Sequence, residues 1–192
     1  QDYDLALRAT EIANAIVHIP RNLYHWRVLP GSTSAGVDQK NDAWDAGRRA
    51  LSEAVARRGL AAEIEEGIDP GTYNVRYPVA GRPKVGIIVP TRDRHELISQ
   101  CVQGIRETTN GLETEILVVN NESTDQATLD WMDQHQGPVI DYPHQFSYAR
   151  MMNMAAEQID CDLLLFLNCD ITIASPNWLE AMIGHAQKRR AG

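Results

Sequence analysis

An α/β fold, with a parallel sheet covered by helices and a mainly helical segment ahead of it, is predicted by three features of the sequence. From Lys84 onward, short apolar runs alternate with amphipathic stretches. The runs are apolar throughout rather than alternating, as strands buried on both faces are. Each of three runs also ends directly in a polar cluster, namely PTRDR, NNESTD and NCD.

The elements follow in order. Residues 2–17 place Leu5, Leu7, Ile12, Ile16 and Val17 near helical spacing, and Pro20 ends the pattern. An extended piece, NLYHWRV, leads into PGSTSAG, whose composition marks a connection. Residues 42–58 are Ala-rich, and Gly59 stands where a C-terminal cap belongs. Residues 61–83 carry several prolines and glycines around one alternating stretch, TYNVRY, which suits an edge strand. The chain thus divides into a helical segment over 1–60, a linker over 61–83 and an α/β region over 84–192. Within the last, strands are expected at KVGIIVP, EILVVN, PVIDY and DLLLFLN, and helices over 95–108, 125–135, 147–158 and 176–189.

A sheet of this kind binds ligands where its strands end. Pro90, Thr91, Arg92 and Asp93 follow the first strand, although Asp93 taken alone reads first as the N-cap of the helix beginning at His95. Asn120 and Asn121 offer carboxamides that can read the edge of a base, while Ser123, Thr124 and Asp125 also resemble a helix cap. Asn168 and Asp170 lie two apart at a strand end, so they share a face and their oxygens can meet one hard cation, Mg²⁺ or Mn²⁺. Arg150 sits at a helix start, where a cation opposes the helix dipole, and either faces a phosphate or is a surface arginine. Met151, Met152 and Met154 read as core filler.

Composition narrows the function classes. The 18 Lys and Arg face 26 Asp and Glu, a formal net charge of -8, with only KRR at Lys188 as a basic cluster, which argues against nucleic acid as a partner. Cys101, Cys161 and Cys169 form no CxxC pair, which suits a reducing compartment. No apolar run reaches membrane-spanning length, and the acidic, amphipathic start does not read as a signal peptide. The expected location is therefore cytoplasmic, peripheral to the inner membrane through a larger parent protein. The glycine-rich phosphate loops, the G-x-S-x-G elbow and zinc-type histidine spacing are all missing.

Taken together, VGIIVPTRDR, EILVVNNESTD, FSYARMMNMAA, LLLFLNCDITI and SPNWLEAMIGHA resemble the successive blocks of family 2 glycosyltransferases, over about a hundred residues. The resemblance implies a Rossmann-like GT-A half-domain that binds a nucleotide-diphosphate sugar of UDP or dTDP type. It implies that Thr91, Asp93 and Asn120 hold the base, with Asn120 in place of the usual aspartate, and that Arg150 lies near the diphosphate. The family's D-x-D metal motif falls on Asn168, Cys169 and Asp170. QDYDLALRATE, HIPRNLYHWR and PGSTS resemble the C-terminal end of the same kind of domain, so Asp2 matches the catalytic base and His25 a histidine that joins some metal sites. That order implies a fragment spanning two modules of a tandem bacterial enzyme that makes polysaccharide, O-antigen or capsule. Its chemistry would be inverting and metal-dependent, with a glycan or lipid-linked acceptor. A non-catalytic nucleotide-binding or scaffold module is the alternative, favoured by carboxamides at positions 120 and 168.

Overall fold

The computed structural model describes residues 2–25 and 41–188, in two compact units, Gln1–Pro78 and Val79–Gly192. The expected connection at PGSTSAG, the end of NLYHWRV, and Arg189 lie outside the described residues.

In the first unit, α1 spans Asp2–Ile12, shorter than the sequence pattern suggests. No residue of α1 is buried, and Ile16 and Val17 are exposed. Helix continuation there would gain no packing, and the β-branched Ile16 and Val17 just ahead of Pro20 disfavour it further. The second helix, α2 (Asn41–Arg57), carries Arg57, whose guanidinium grips Glu11 of α1 at 2.9 and 3.0 Å. Gly59 adopts φ +63, and the bonds from Gly59 N to Ala56 O and from Leu60 N to Val55 O close a Schellman cap. Residues 61–83, expected to hold one edge strand, hold an antiparallel pair: β1 (Glu63–Glu66) against β2 (Tyr73–Arg76). The strand EIEE escaped notice because three of its four residues are glutamates, which mask any alternation of apolar side chains.

The second unit alternates strictly: β3 (Val85–Thr91), α3 (His95–Thr108), β4 (Thr114–Asn120), α4 (Gln126–Gln134), β5 (Val139–Asp141), α5 (Tyr148–Ala156), β6 (Leu163–Phe166) and α6 (Trp178–Ala186). All strand pairs of its sheet are parallel, in the order β5-β4-β3-β6. The chain therefore starts at β3, moves outward through β4 to β5, and crosses back to lay β6 on the other side of β3. Such a reversal opens a crevice at the C-terminal ends of the strands flanking it.

The faces of the sheet are set by residue alternation. Val85, Ile87 and Val89 point toward Ile98, Cys101, Val102 and Ile105 of α3, together with Met132 of α4 and Leu179 and Ile183 of α6. Ile88, Leu117 and Val119 point the other way, onto Met151, Met152 and Ala155 of α5. The methionines 151 and 152 are thus core residues. One helix lies on the second face because right-handed crossovers change face when the chain reverses direction. Coverage there is incomplete: Leu164 and Phe166 of β6 are each 44% exposed, whereas Leu163 and Leu165 pack into the first core. Among the described residues, no helix is long and apolar enough to cross a membrane.

Candidate functional site

The three polar clusters meet at the C-terminal edge of the sheet because their strands are neighbours in register. Thr91 and Asn120, the last residues of β3 and β4, pair directly, and Asn121 N continues the ladder by donating to Thr91 O at 2.9 Å. On the other side of β3, Leu167 N donates to Ile88 O at 3.0 Å and carries the pairing toward Asn168.

Asp93 does not cap α3. It adopts φ +49 and turns its carboxylate onto the following loop, accepting from the backbone N–H groups of Thr124 and, at 2.7 Å, Asp125. Its own N–H donates to Ser123 Oγ at 3.1 Å. The N–H groups of Asp125 and Thr124 hold the Asp93 carboxyl below the ordinary carboxylate range. The cap of α3 falls to Arg94, which makes no side-chain capping bond. Asp125 does cap α4, accepting from Thr128 N at 2.9 Å and Thr128 Oγ1 at 2.7 Å.

Asn120 is likewise committed within the protein. Its Nδ2 donates to Asp141 Oδ1 at 2.8 Å and its Oδ1 accepts from Ser123 N at 2.9 Å. Asp141, at the end of β5, was missed in the sequence, although it ends its strand in the same manner as the three recognised clusters.

Two neighbouring groups have the opposite character. Thr91 is 4% and Asn121 7% exposed, yet Thr91 Oγ1 and Asn121 Oδ1 have no hydrogen-bond partner. Burial pushes the neighbouring Cys169 thiol up, an effect that the nearby Thr91 hydroxyl only partly offsets, and Thr91 Oγ1 makes no hydrogen bond of full geometry. A buried polar atom left unpaired costs roughly 1–3 kcal/mol. Among the described residues four such side-chain atoms occur, and these two stand side by side where β3 and β4 end, Asn121 N donating to Thr91 O. Their placement is that of groups awaiting a ligand or ordered water.

Beyond β6, Leu167, Cys169 and Ile171 pack against the core while Asn168 and Asp170 are exposed, so the carboxamide and carboxylate share the solvent side. No group of three or more His, Cys, Asp or Glu able to hold a metal occurs among the described residues. One carboxylate and one carboxamide nevertheless fit Mg²⁺, which commonly takes one or two protein oxygens and completes its shell with water and substrate phosphate. Cys101 donates to Asn168 O at 3.7 Å, and burial pushes its thiol up to about 11, a structural rather than reactive cysteine. Arg150 is exposed in the first turn of α5, behind the Ser147 cap. Asp2, in the first turn of α1, and His25 are exposed residues of the first unit.

The model of the family described as Glycosyl transferase family 2 matches residues 86–192, which takes in the parallel sheet from the second residue of β3 onward, with all three polar clusters at its strand ends. The chain belongs to glycosyl transferase family 2. This family 2 chain is 40% identical over 198 residues to the O-antigen biosynthesis protein RfbC of Myxococcus xanthus, a match covering 100% of this chain and 15% of that protein. It is 36% identical over 200 residues to the uncharacterized protein y4gI of Sinorhizobium fredii (strain NBRC 101917 / NGR234), covering 100% of this chain and 22% of that one. The chain therefore spans less than a quarter of either relative. Among solved structures, the mannosyltransferase PcManGT of Pyrobaculum calidifontis, in complex with GDP-Man and Mn²⁺, shares the fold with a TM-score of 0.52 and 20% identity, over 77% of this chain and 43% of that one.

Proposed function

We propose that the second unit is the donor-binding half of an inverting, metal-dependent glycosyltransferase, and that the crevice at the ends of β3, β4 and β6 takes a nucleoside diphosphate sugar of UDP or dTDP type. The observation that carries this reading is the pair of buried, unpartnered atoms, Thr91 Oγ1 and Asn121 Oδ1. The two groups would hold the base and the adjoining ribose: the Asn121 carbonyl accepts a ring N–H, and the Thr91 hydroxyl can donate or accept. Asn120, with both ends of its amide engaged by Asp141 and Ser123, shapes the loop instead of reading the base. Asp93 and Ser123 join the first loop to the second and hold the walls of the base pocket.

Asp170 with Asn168 would hold Mg²⁺ or Mn²⁺, which when bound neutralises charge on the departing diphosphate. Arg150, at the start of α5, would face the same phosphates. Inversion requires a carboxylate to take the proton from the attacking hydroxyl. Asp2 is assigned that role for a neighbouring module, with His25 beside its metal site. The name of the Myxococcus relative supports a place in O-antigen or related polysaccharide synthesis, with a glycan or lipid-linked acceptor. The parent protein would then work in the cytoplasm, peripheral to the inner membrane. Since the chain spans only 15% and 22% of its relatives, it is expected to bind donor nucleotide without transferring sugar alone.

A scaffold role is the second reading, favoured by the commitment of Asn120 to the loop. Calorimetric titration of UDP with and without Mn²⁺ separates the two. The enzyme half binds UDP more tightly with metal, and Asp170→Ala removes that metal-dependent gain, about tenfold or more in affinity. Absence of UDP binding, or binding indifferent to both Mn²⁺ and Asp170, would sink the proposal.

A further inference from the structure

We infer that the groove between α2 and the β1–β2 hairpin of the first unit binds a neutral oligosaccharide, holding two adjacent sugar rings. Every residue of the groove belongs to the first unit, so the inference goes beyond the donor-binding reading and does not depend on it.

Two hollows meet in this groove, of about 210 and 280 Å³, and Arg48 lines both. Trp44, Arg48 and Ser52 stand at i, i+4 and i+8, one stripe of α2. Trp44 lines the first hollow and Ser52 the second, so the stripe runs the length of the groove, about 12 Å along the helix axis. The strand wall follows the same order. Glu66 lines the first hollow and Ile64 the second, two residues apart on one face of β1. Each hollow is smaller than the roughly 300–1,000 Å³ of a pocket for a drug-sized ligand, which suits a chain of small rings.

The two walls are locked together. Tyr73 Oη donates to Trp44 O at 2.7 Å, and Gly47 permits that approach, because a Cβ there would collide with the tyrosine hydroxyl. Gly71 adopts φ +81 in the hairpin turn, where a Cβ would stand 3.0 Å from Trp44 Nε1. Gly67 N donates to Thr72 O at 2.9 Å and Thr72 N to Asp69 O at 3.0 Å, closing the turn. A site ordered in advance spares a flexible ligand part of the cost of binding.

The lining selects the ligand. Asp45, Glu66 and Asp69 surround Trp44 in the first hollow, and Arg49, Ser52 and Glu53 line the second. Planar carboxylates and guanidinium groups accept from and donate to pairs of neighbouring hydroxyls, the recurrent feature of a sugar ring. The indole adds an electron-rich surface for the ring face that carries only C–H groups. Among the described residues, the Glu66 and Asp69 carboxylates make no hydrogen bond or ion pair, which leaves them available. Carboxylates outnumber guanidinium groups along the groove, which disfavours phosphates and acidic sugars. A peptide helix would need a row of apolar anchors, which Asp45, Arg48 and Ser52 interrupt.

The test titrates the isotopically labelled chain with maltotriose, cellotriose and triacetylchitotriose, following the Trp44 indole N–H and the backbone amides. At least one trisaccharide should move the signals of Asp45–Glu53 and Glu66–Thr72, and bind more tightly than its own monosaccharide. Trp44→Ala should weaken that binding about tenfold. Asp69→Asn should weaken it about threefold, and it keeps the test valid if Trp44→Ala unfolds the unit. No movement in the groove with any of the three would overturn the inference. So would equal binding of monosaccharide and trisaccharide, or an affinity unchanged in both variants. Pentalysine moving the groove signals where the sugars do not would reassign it to a cationic peptide and overturn the inference as well. UDP titration of the same chain reads the donor crevice separately, so either reading fails without the other.

Discussion

Replacing Asp93 with alanine will lower UDP affinity by about tenfold or more and lower the unfolding midpoint, although in this account its carboxylate touches no ligand atom. The carboxylate accepts from two consecutive backbone N–H groups, of Thr124 and Asp125, and from the Thr124 hydroxyl at 3.3 Å. It ties the loop after β3 to the loop after β4, across more than thirty residues of chain. Without it, Asn121 loses the fixed wall against which a base would lie. Alanine also tolerates φ +49 poorly, whereas asparagine accepts that conformation more readily. Asp93→Asn should therefore retain more binding than Asp93→Ala. The pH dependence follows from the lowered pKa: a carboxyl whose folded pKa lies below its unfolded value contributes stability that is complete above the unfolded pKa. That contribution disappears as pH falls through the folded pKa. The gap in unfolding midpoint between wild type and Asp93→Ala should accordingly narrow on acidification below the ordinary carboxylate range. A gap that persists unchanged through that range would show that the carboxylate's charge is not what holds the loops.

Leu117→Ala should destabilise the chain by roughly 2–5 kcal/mol in urea unfolding, the range for deleting a large buried aliphatic group. Leu117 is 0% exposed in the middle of β4, and it belongs to the cluster with Ile88, Tyr142 and Met151 beneath α5. The same strand carries Asn120 at its end, so loosening this layer should weaken nucleotide binding as well as stability. Leu164→Ala makes the informative comparison. Leu164 is on β6, the opposite edge of the sheet from β5, and is 44% exposed, so it should cost well under half as much. Comparable losses in the two variants would mean that β6 is covered in solution to a degree that its exposure here contradicts.

The parallel sheet was legible in the sequence because β3 and β4 are buried on both faces, the exposed face of β6 is apolar as well, and the helices are amphipathic. The bounds expected for α3, residues 95–108, match His95–Thr108, since Ile98, Cys101, Val102 and Ile105 fill one stripe. β1 was not legible, because a glutamate-rich strand shows no apolar pattern. α1 was overextended for the opposite reason: Ile16 and Val17 continue the apolar spacing but find nothing to pack against among the described residues. At the site, residue types and their order could be read, and the partners of each residue could not. Asp93 reads as a cap because it precedes a helix, yet it bonds to a loop thirty residues away. Asn120 and Asn121 are indistinguishable as letters. Strand pairing alone decides that the first is spent on Asp141 and Ser123 and that the second is buried with a free oxygen. Asn168 and Asp170 were separable from Cys169 in advance because period-two alternation persists past the end of β6.

The most direct test of the donor-binding assignment is a map of backbone amide shifts on titrating UDP and Mg²⁺ into the isotopically labelled chain. The largest changes are expected on Thr91–Arg94, Asn121–Ser123 and Asn168–Asp170, with little change at the N-terminal ends of the same strands, near Val85 and Thr114. Changes centred elsewhere, or none at UDP concentrations where related donor sites saturate, would contradict it.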